Sequence, residues 1–248
     1  MTAWKNKNVT RYYIENRSTF KDLYKSESKL LYKLKKKSIK KILDFGCATG
    51  SFYKIFSKMF KDISYVGIDI EKEMILNALK IYGKNRNTKF ILSKKKKLSY
   101  RDNYFDLAFC TSVLHHVEEY KKIINELVRV SSKYIFIDSP RIHLKKNFVG
   151  LMNLDKRFDT RKKKKNNVKY YVANLKEYLL FIKKIIKNNN ISKAYFVCNK
   201  LPYSKDYMSF SDEIFYMTIL FVKNDENKNY DKYVYTNNKK VKRIFNIL

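Results

Sequence analysis

The residues of this chain best suited to chemistry gather in two short stretches. In the first, Asp44-Phe45-Gly46-Cys47-Ala48-Thr49-Gly50, a carboxylate stands directly ahead of a turn holding two of the five glycines in the whole chain. A second carboxylate, Asp69, follows 69 − 50 = 19 positions after the last of those glycines. One carboxylate can accept hydrogen bonds from two adjacent ribose hydroxyls, and a gap of about 20 residues between a glycine turn and its acid is the spacing nucleotide-binding sheets use. Glycine permits the sharp turn and a close approach of ligand to main chain. A dinucleotide site would want GxGxxG, so that a helix N-terminus receives a pyrophosphate, and here the last glycine comes one position early.

The second stretch, Ser112-Val113-Leu114-His115-His116-Val117, holds two of the three histidines. Imidazole titrates near neutrality, so His115 and His116 are the candidate general bases, with His143 a weaker third. Neighbours on a helix point about 100° apart, so one of the pair is expected to face a pocket and the other to pack. The competing reading is that both merely start a helix.

These residues need a sheet to hold them. From Lys41 onward, apolar runs with strand character alternate with helical spacing, which predicts βαβ units around a parallel sheet. Strands are expected at Lys41 to Phe45, Ile63 to Ile70, Asn87 to Leu92, Phe105 to Cys110 and Tyr134 to Ile137, the last stopped by Pro140. Helices are expected after the first, second and fourth of them. Arg141 to Asn167 reads as basic and irregular, Val172 to Ile186 as helical, and Ala194 to Cys198 with Ile214 to Val222 as an antiparallel pair. The expected fold is α/β: a Rossmann-like, seven-stranded, mostly parallel sheet with an antiparallel edge hairpin and flanking helices. Residues 1–40 would form a helical cap, 41–140 the ligand-binding core, and 141–248 a specificity segment with the last two strands, all in one domain.

The run Ile42-Leu43-Asp44-Phe45-Gly46-Cys47-Ala48-Thr49-Gly50 resembles the first motif of class I S-adenosylmethionine-dependent methyltransferases. The likeness extends over about Lys41 to Pro140, and Asn103 to Cys110 followed by Ser112 to Val117 resembles the fourth strand of the branch acting on small molecules. The resemblance implies S-adenosyl-L-methionine as cofactor, with Asp44, Gly46 and Gly50 at its methionine part and Asp69 on its ribose. It further implies that Cys47, Ala48, Ile70, Ser93, Lys94, Cys110 and Thr111 border it. Ala48 replaces the middle glycine and fits if its φ is negative. Ser93-Lys94 stands where the family places an acid for the adenine amino group. Asp106, at a strand start, reads as structural. The acceptor is expected to be a small molecule, methylated on O or N; an RNA methyltransferase and a non-catalytic cofactor-binding protein are the alternatives.

A formal net charge of +32 motivates the RNA alternative. Abundant Lys, Asn, Ile and Tyr beside scarce Gly and Pro are equally what an AT-rich coding sequence yields, so charge alone assigns no partner. The lysine runs Lys94 to Lys97 and Lys162 to Lys165, and the Tyr–Lys interleaving at Lys169 to Tyr171 and Tyr203 to Tyr207, could touch a polyanion or be solvated loops. Cys47, Cys110 and Cys198 lie far apart with no CxxC pair, which suggests neither a metal site nor a disulfide framework. With no apolar leader and no run of membrane-spanning length, the protein is expected in the cytoplasm.

Overall fold

The structure, a computed structural model, describes residues 4, 7–154, 167–201, 213–223 and 230–248. Lys162 to Lys165 and Tyr203 to Tyr207 lie outside the described residues. Two helices, α1 (Lys7–Glu15) and α2 (Lys25–Leu31), lead into an alternation of strands and helices. This runs β1 (Lys41–Phe45), α3 (Phe52–Met59), β2 (Ser64–Asp69), α4 (Lys72–Tyr82), β3 (Thr88–Leu92), β4 (Phe105–Cys110), α5 (Tyr120–Val130) and β5 (Ser131–Asp138). There follow β6 (Arg141–His143), β7 (Phe148–Asn153), β8 (Asn167–Asn174), α6 (Leu175–Asn188), β9 (Ile191–Lys200), β10 (Ile214–Lys223), β11 (Asp231–Tyr235) and α7 (Lys239–Ile244).

The first five strands pair in parallel in the order β3-β2-β1-β4-β5. Their apolar runs are continuous because helices cover both faces, and alternate residues feed two separate cores. Leu43, Ala108, Cys110, Ile135 and Ile137 pack on one side with α5 and α6. Ile42, Leu107, Phe109 and Phe136 pack on the other with α2 and α3. Register sets Asp44 beside Gly67 on one flank and Phe109 on the other, so the C-terminal ends of β2, β1 and β4 open at one level. At the opposite end Asp106 accepts from the Lys40 and Lys41 amides at 2.8 and 2.9 Å, a structural role as expected.

The tail is more ordered than its composition suggests. β10 runs antiparallel to β5 and to β9, so the expected antiparallel pair exists, but it lies inside the sheet, because β11 adds parallel to β9 and takes the edge. The described part of the stretch read as irregular, residues 141–154, holds strands instead. After Pro140 the chain re-enters the sheet as β6, between β10 and β8, and β7 closes this branch against β8. The helix expected from Val172 begins at Leu175, since Val172 and Ala173 pair with Arg141 and Ile142 and the Asn174 side chain caps the helix by accepting from the Glu177 amide. Among the described residues no helix is long and apolar enough to cross a membrane.

Candidate functional site

A cleft of about 1650 Å³, counted with its open mouth, lies over the C-terminal ends of β1, β2 and β4. Its floor is the loop after β1, whose amides are already engaged. Gly46 and Cys47 both donate to the Ile68 carbonyl, Ala48 donates to Asp69 Oδ2 at 2.9 Å, and Gly50 donates to the Cys47 carbonyl. A loop whose N–H groups are spent in this way is poorly prepared for a pyrophosphate, which argues against a dinucleotide on geometry as well as on spacing. Gly50 serves packing, and Gly46 serves packing while also lining the cleft. Both have positive φ, +80° at Gly46 and +76° at Gly50, and an added Cβ would stand 2.1 Å from Val113 Cγ2 and 2.7 Å from the Phe90 ring respectively. Ala48 corrects the expectation of negative φ: it sits at +47°, in the left-handed region, where a Cβ costs about 1 kcal/mol.

Asp69 lines the cleft at the end of β2, its Oδ1 accepting from the Glu71 amide and its Oδ2 from the Ala48 amide, each at 2.9 Å. Two backbone bonds orient the carboxylate and leave further lone pairs for hydroxyl donors. Burial raises its pKa, although the backbone bonds pull the other way. Gly46, Cys47, Ala48, Ile70, Ser93, Lys94 and Thr111 also line the cleft. Asp44, Gly50 and Cys110 are not among its lining residues. Asp44 is buried beneath the loop, accepts from the Tyr65 hydroxyl, and has its pKa pushed up to about 7 by burial. Burial likewise holds the Cys47 and Cys110 thiols well above their ordinary value, which leaves them packing groups rather than nucleophiles.

Several lining residues escaped the sequence reading. Tyr13 and Arg17 come from the N-terminal cap, Glu71 and Met74 from the approach to α4 and the helix itself, and Ser112 and Val113 from the turn after β4. Arg17 is 6% exposed and ties the cap to the sheet. Its Nη2 pairs with Glu27 Oε1 at 2.5 Å and its Nη1 donates to Ser112 Oγ at 3.2 Å. Burial would lower its pKa, but the Glu27 carboxylate more than offsets this, so the guanidinium stays charged. Its Nε has no hydrogen-bond partner among the described residues. The chain carries nine arginines among 55 basic residues, and that scarcity was the available signal for Arg17.

The two histidines separate as adjacent residues should. They form a 3-10 turn, Leu114–His116, with ring centroids 4.0 Å apart. His115 is buried, and its Nε2 faces Arg141 Nη2 at 3.5 Å. His116 lines the large cleft and also a narrow adjoining pocket, about 370 Å³ counted with its open mouth, its ring edge-on to Trp4. Its Nδ1 lies 3.1 Å from the Lys169 carbonyl of β8. A carbonyl only accepts, so Nδ1 carries the proton and Nε2 is the basic nitrogen. His143 lies away from both pockets; its Nδ1 accepts from the Lys145 and Lys146 amides.

An open α/β sheet with a carboxylate at one strand end and a glycine turn at the neighbouring one has the doubly wound architecture that nucleotide-binding proteins use. Residues 43–134 match the family model described as Methyltransferase domain. An uncharacterized protein of Methanocaldococcus jannaschii is 36% identical over 120 residues, 48% of each chain. The malonyl-[acyl-carrier protein] O-methyltransferase of Legionella pneumophila is 30% identical over 91 residues, 37% of this chain and 32% of that one. The chain therefore matches about half or less of these relatives' own length. An S-adenosylmethionine-dependent methyltransferase structure from Methanosarcina mazei superposes with a TM-score of 0.56 at 18% identity, covering 82% of this chain and 99% of that one. Residues 43–134 are thus similar to a methyltransferase domain, and the sheet shares the fold of a structure described as an S-adenosylmethionine-dependent methyltransferase.

Proposed function

We propose that this protein catalyses methyl transfer from S-adenosyl-L-methionine to an oxygen or nitrogen atom of a small molecule. The observation that carries this reading is the junction at His116, one wall of which faces the nucleoside cleft and the other a compact second pocket. When bound, the cofactor supplies a methyl group already activated on a sulfonium. The protein's own task is then to orient two partners and to take a proton from a neutral acceptor.

In this reading Asp69 holds the ribose, while Gly46, Cys47, Ala48, Ile70, Ser93, Lys94 and Thr111 border the nucleoside and its amino-acid part. Arg17, with an N–H to spare, receives the cofactor's carboxylate. Asp44 acts from beneath the loop as a background charge rather than as a contact. His116, its tautomer set by the Lys169 carbonyl, is the base, and His115 positions Arg141. The N-terminal residues 1–40 cap the cleft, and the segment after residue 140 supplies the acceptor side.

Incubating the protein with methyl-tritiated cofactor and fractionated cell extract tests the assignment. Label should enter the small-molecule fraction; entry into RNA alone would replace this reading with the polyanion one, and no incorporation anywhere would favour a cofactor-binding protein without turnover.

A further inference from the structure

Lysine and tyrosine are abundant throughout the chain, but on one face they are laid against each other in order. Helix α2 and the 3-10 turn that continues it, Tyr32–Leu34, bury Leu30, Leu31 and Leu34 in the core against which Tyr195 of β9 and Tyr235 of β11 also pack. Lys29 Nζ stands 3.7 Å from the centroid of the Tyr235 ring. Lys33 Nζ, four positions on, stands 4.5 Å from that of Tyr195 and 5.8 Å from that of Tyr235. Tyr195 and Tyr233 are register partners on adjoining strands, and their rings stack with centroids 4.6 Å apart and planes 12° from parallel. Among the described residues β11 is the outermost strand of this branch, so the stack ends at Tyr233, which is 40% exposed. Tyr32, 65% exposed, has Lys35 Nζ 5.6 Å from its own ring centroid.

The helix brings charge of one sign to this face. Lys25 to Lys37 holds six lysines and a single acid, Glu27, which is buried against Arg17. β9 has no acidic residue, and the one on β11, Asp231, stands in register with Lys193. A solvated lysine run carries its ammoniums on free four-carbon stems. Lys29 and Lys33 are held by ring faces instead, which reduces the side-chain freedom lost when an anion arrives. Flat rings beside positioned cations suit a ligand with a π-face and a negative charge in every unit. A nucleic acid strand fits that description, whereas an acidic protein surface or a lipid headgroup brings the charge without the ring. In a duplex the bases stack on one another, so exposed rings select the unpaired strand.

We propose that this face is a docking surface for single-stranded nucleic acid, whose bases stack on Tyr233 and Tyr32 and whose phosphates are met by Lys29, Lys33 and the lysines around them. The proposal goes beyond the methyl-transfer reading and leaves it untouched. None of these side chains borders the cleft or the pocket at His116, so a strand held here is not thereby the acceptor.

The test is fluorescence anisotropy of the full chain with a labelled oligothymidylate of about 12 nucleotides, compared with the duplex it forms with oligoadenylate. The single strand should bind at least ~5-fold more tightly than the duplex, although the duplex has the higher charge density. Tyr233→Ala should weaken binding by about 5- to 100-fold, and Tyr233→Phe, which keeps the ring, should preserve it; Tyr32→Ala serves if the first variant does not fold. Replacing Lys29 and Lys33 together by glutamine should reduce the slope of log affinity against log salt by about 1.4, two counterions at about 0.7 each. The same change at Lys184 and Lys187, on α6 against the opposite core, should leave the slope as it is. Thermal unfolding checks the fold of each variant without recourse to the cofactor, so failure of the methyl-transfer reading and failure of this one remain distinct. Equal or tighter binding of the duplex, undiminished binding after loss of the exposed ring, or an equal change of slope from the α6 pair would overturn the proposal and leave a general polycation. Capture by phosphatidylserine vesicles without binding of oligothymidylate would overturn it in favour of a membrane surface.

Discussion

Replacing Asp69 by asparagine removes one oxygen and one charge from the carboxylate proposed to hold the cofactor's ribose. In the protein that carboxylate accepts from the Ala48 and Glu71 amides, one on each oxygen, at 2.9 Å. Asparagine can satisfy one amide and turns an NH2 toward the other, and it offers the two hydroxyls a single neutral acceptor. Each charge-assisted hydroxyl bond contributes about 1.5–3 kcal/mol, so losing one and weakening the other comes to roughly 3 kcal/mol, or about a 100-fold loss of affinity. Calorimetry with S-adenosylhomocysteine measures it, alongside the 2′,3′-dideoxy analogue. The analogue should bind wild type and variant alike, because the interaction under test is absent from both. A loss of less than about threefold for the natural ligand, or an equal loss for the dideoxy analogue, would refute the ribose assignment. The carboxylate must be ionised to accept from both hydroxyls. Since burial raises its pKa, affinity should begin to fall on acidification above the ordinary aspartate range.

Three further outcomes are expected. Ala48→Gly relieves a left-handed φ of +47° and should stabilise the protein by about 1 kcal/mol in urea unfolding; unchanged or lower stability would show that the loop carries no strain there. His116→Ala should lower kcat by at least ~100-fold with the acceptor that labelling identifies while changing S-adenosylhomocysteine affinity far less, and nitrogen NMR of the wild type should find the proton on Nδ1. For Asp44, the folded pKa of about 7 lies above the ordinary 3.8, so between those values the folded state keeps a proton that the unfolded chain has released. Its contribution is therefore favourable at low pH and is lost as pH rises to about 7, by at most about 4 kcal/mol. Asp44→Asn should flatten that part of the stability profile and raise the melting temperature at pH 8.

The parallel half of the sheet could be read from sequence because burial on both faces forces continuous apolar runs, and such runs are conspicuous against so much lysine. Phe105-Asp106-Leu107-Ala108-Phe109-Cys110 is the clearest case, with Asp106 the single break and its side chain spent on the neighbouring strand's amides. The placement of Asp69 and the glycine turn on one cleft came with it, since both are tied to strand ends. Packing could not be read the same way. Gly46 and Gly50 suggested room for a ligand; Gly46 does line the cleft, but the space a side chain would fill at each belongs to Val113 and Phe90. Asp44 suggested a ligand contact, whereas it faces the α3 side of β1 and Tyr65 covers it. β7 was hidden because Gly150 interrupts its pattern; that glycine makes room for the Tyr170 ring across the strand pair, a reason visible only once the partner is known. The start of α6 was readable after all, from Asn174 followed three residues later by Glu177.

What the sequence left open on the acceptor side depends on contacts between distant parts of the chain. His116 and Lys169 are 53 positions apart, and the carbonyl that selects the imidazole tautomer is a main-chain group, so no residue type at position 169 announces it. Arg17 and Ser112 are 95 apart and meet only because α1 and α2 fold back over the strand ends. The residues that bind a shared cofactor can sit in one compact motif, because the sheet alone positions them. Those proposed to choose and activate an acceptor come from the cap, the 3-10 turn and the β6–β8 branch. Altering β8, through Lys169→Pro for example, should therefore disturb turnover through His116 while sparing the nucleoside cleft, a separation that a site built from the motif alone would not allow.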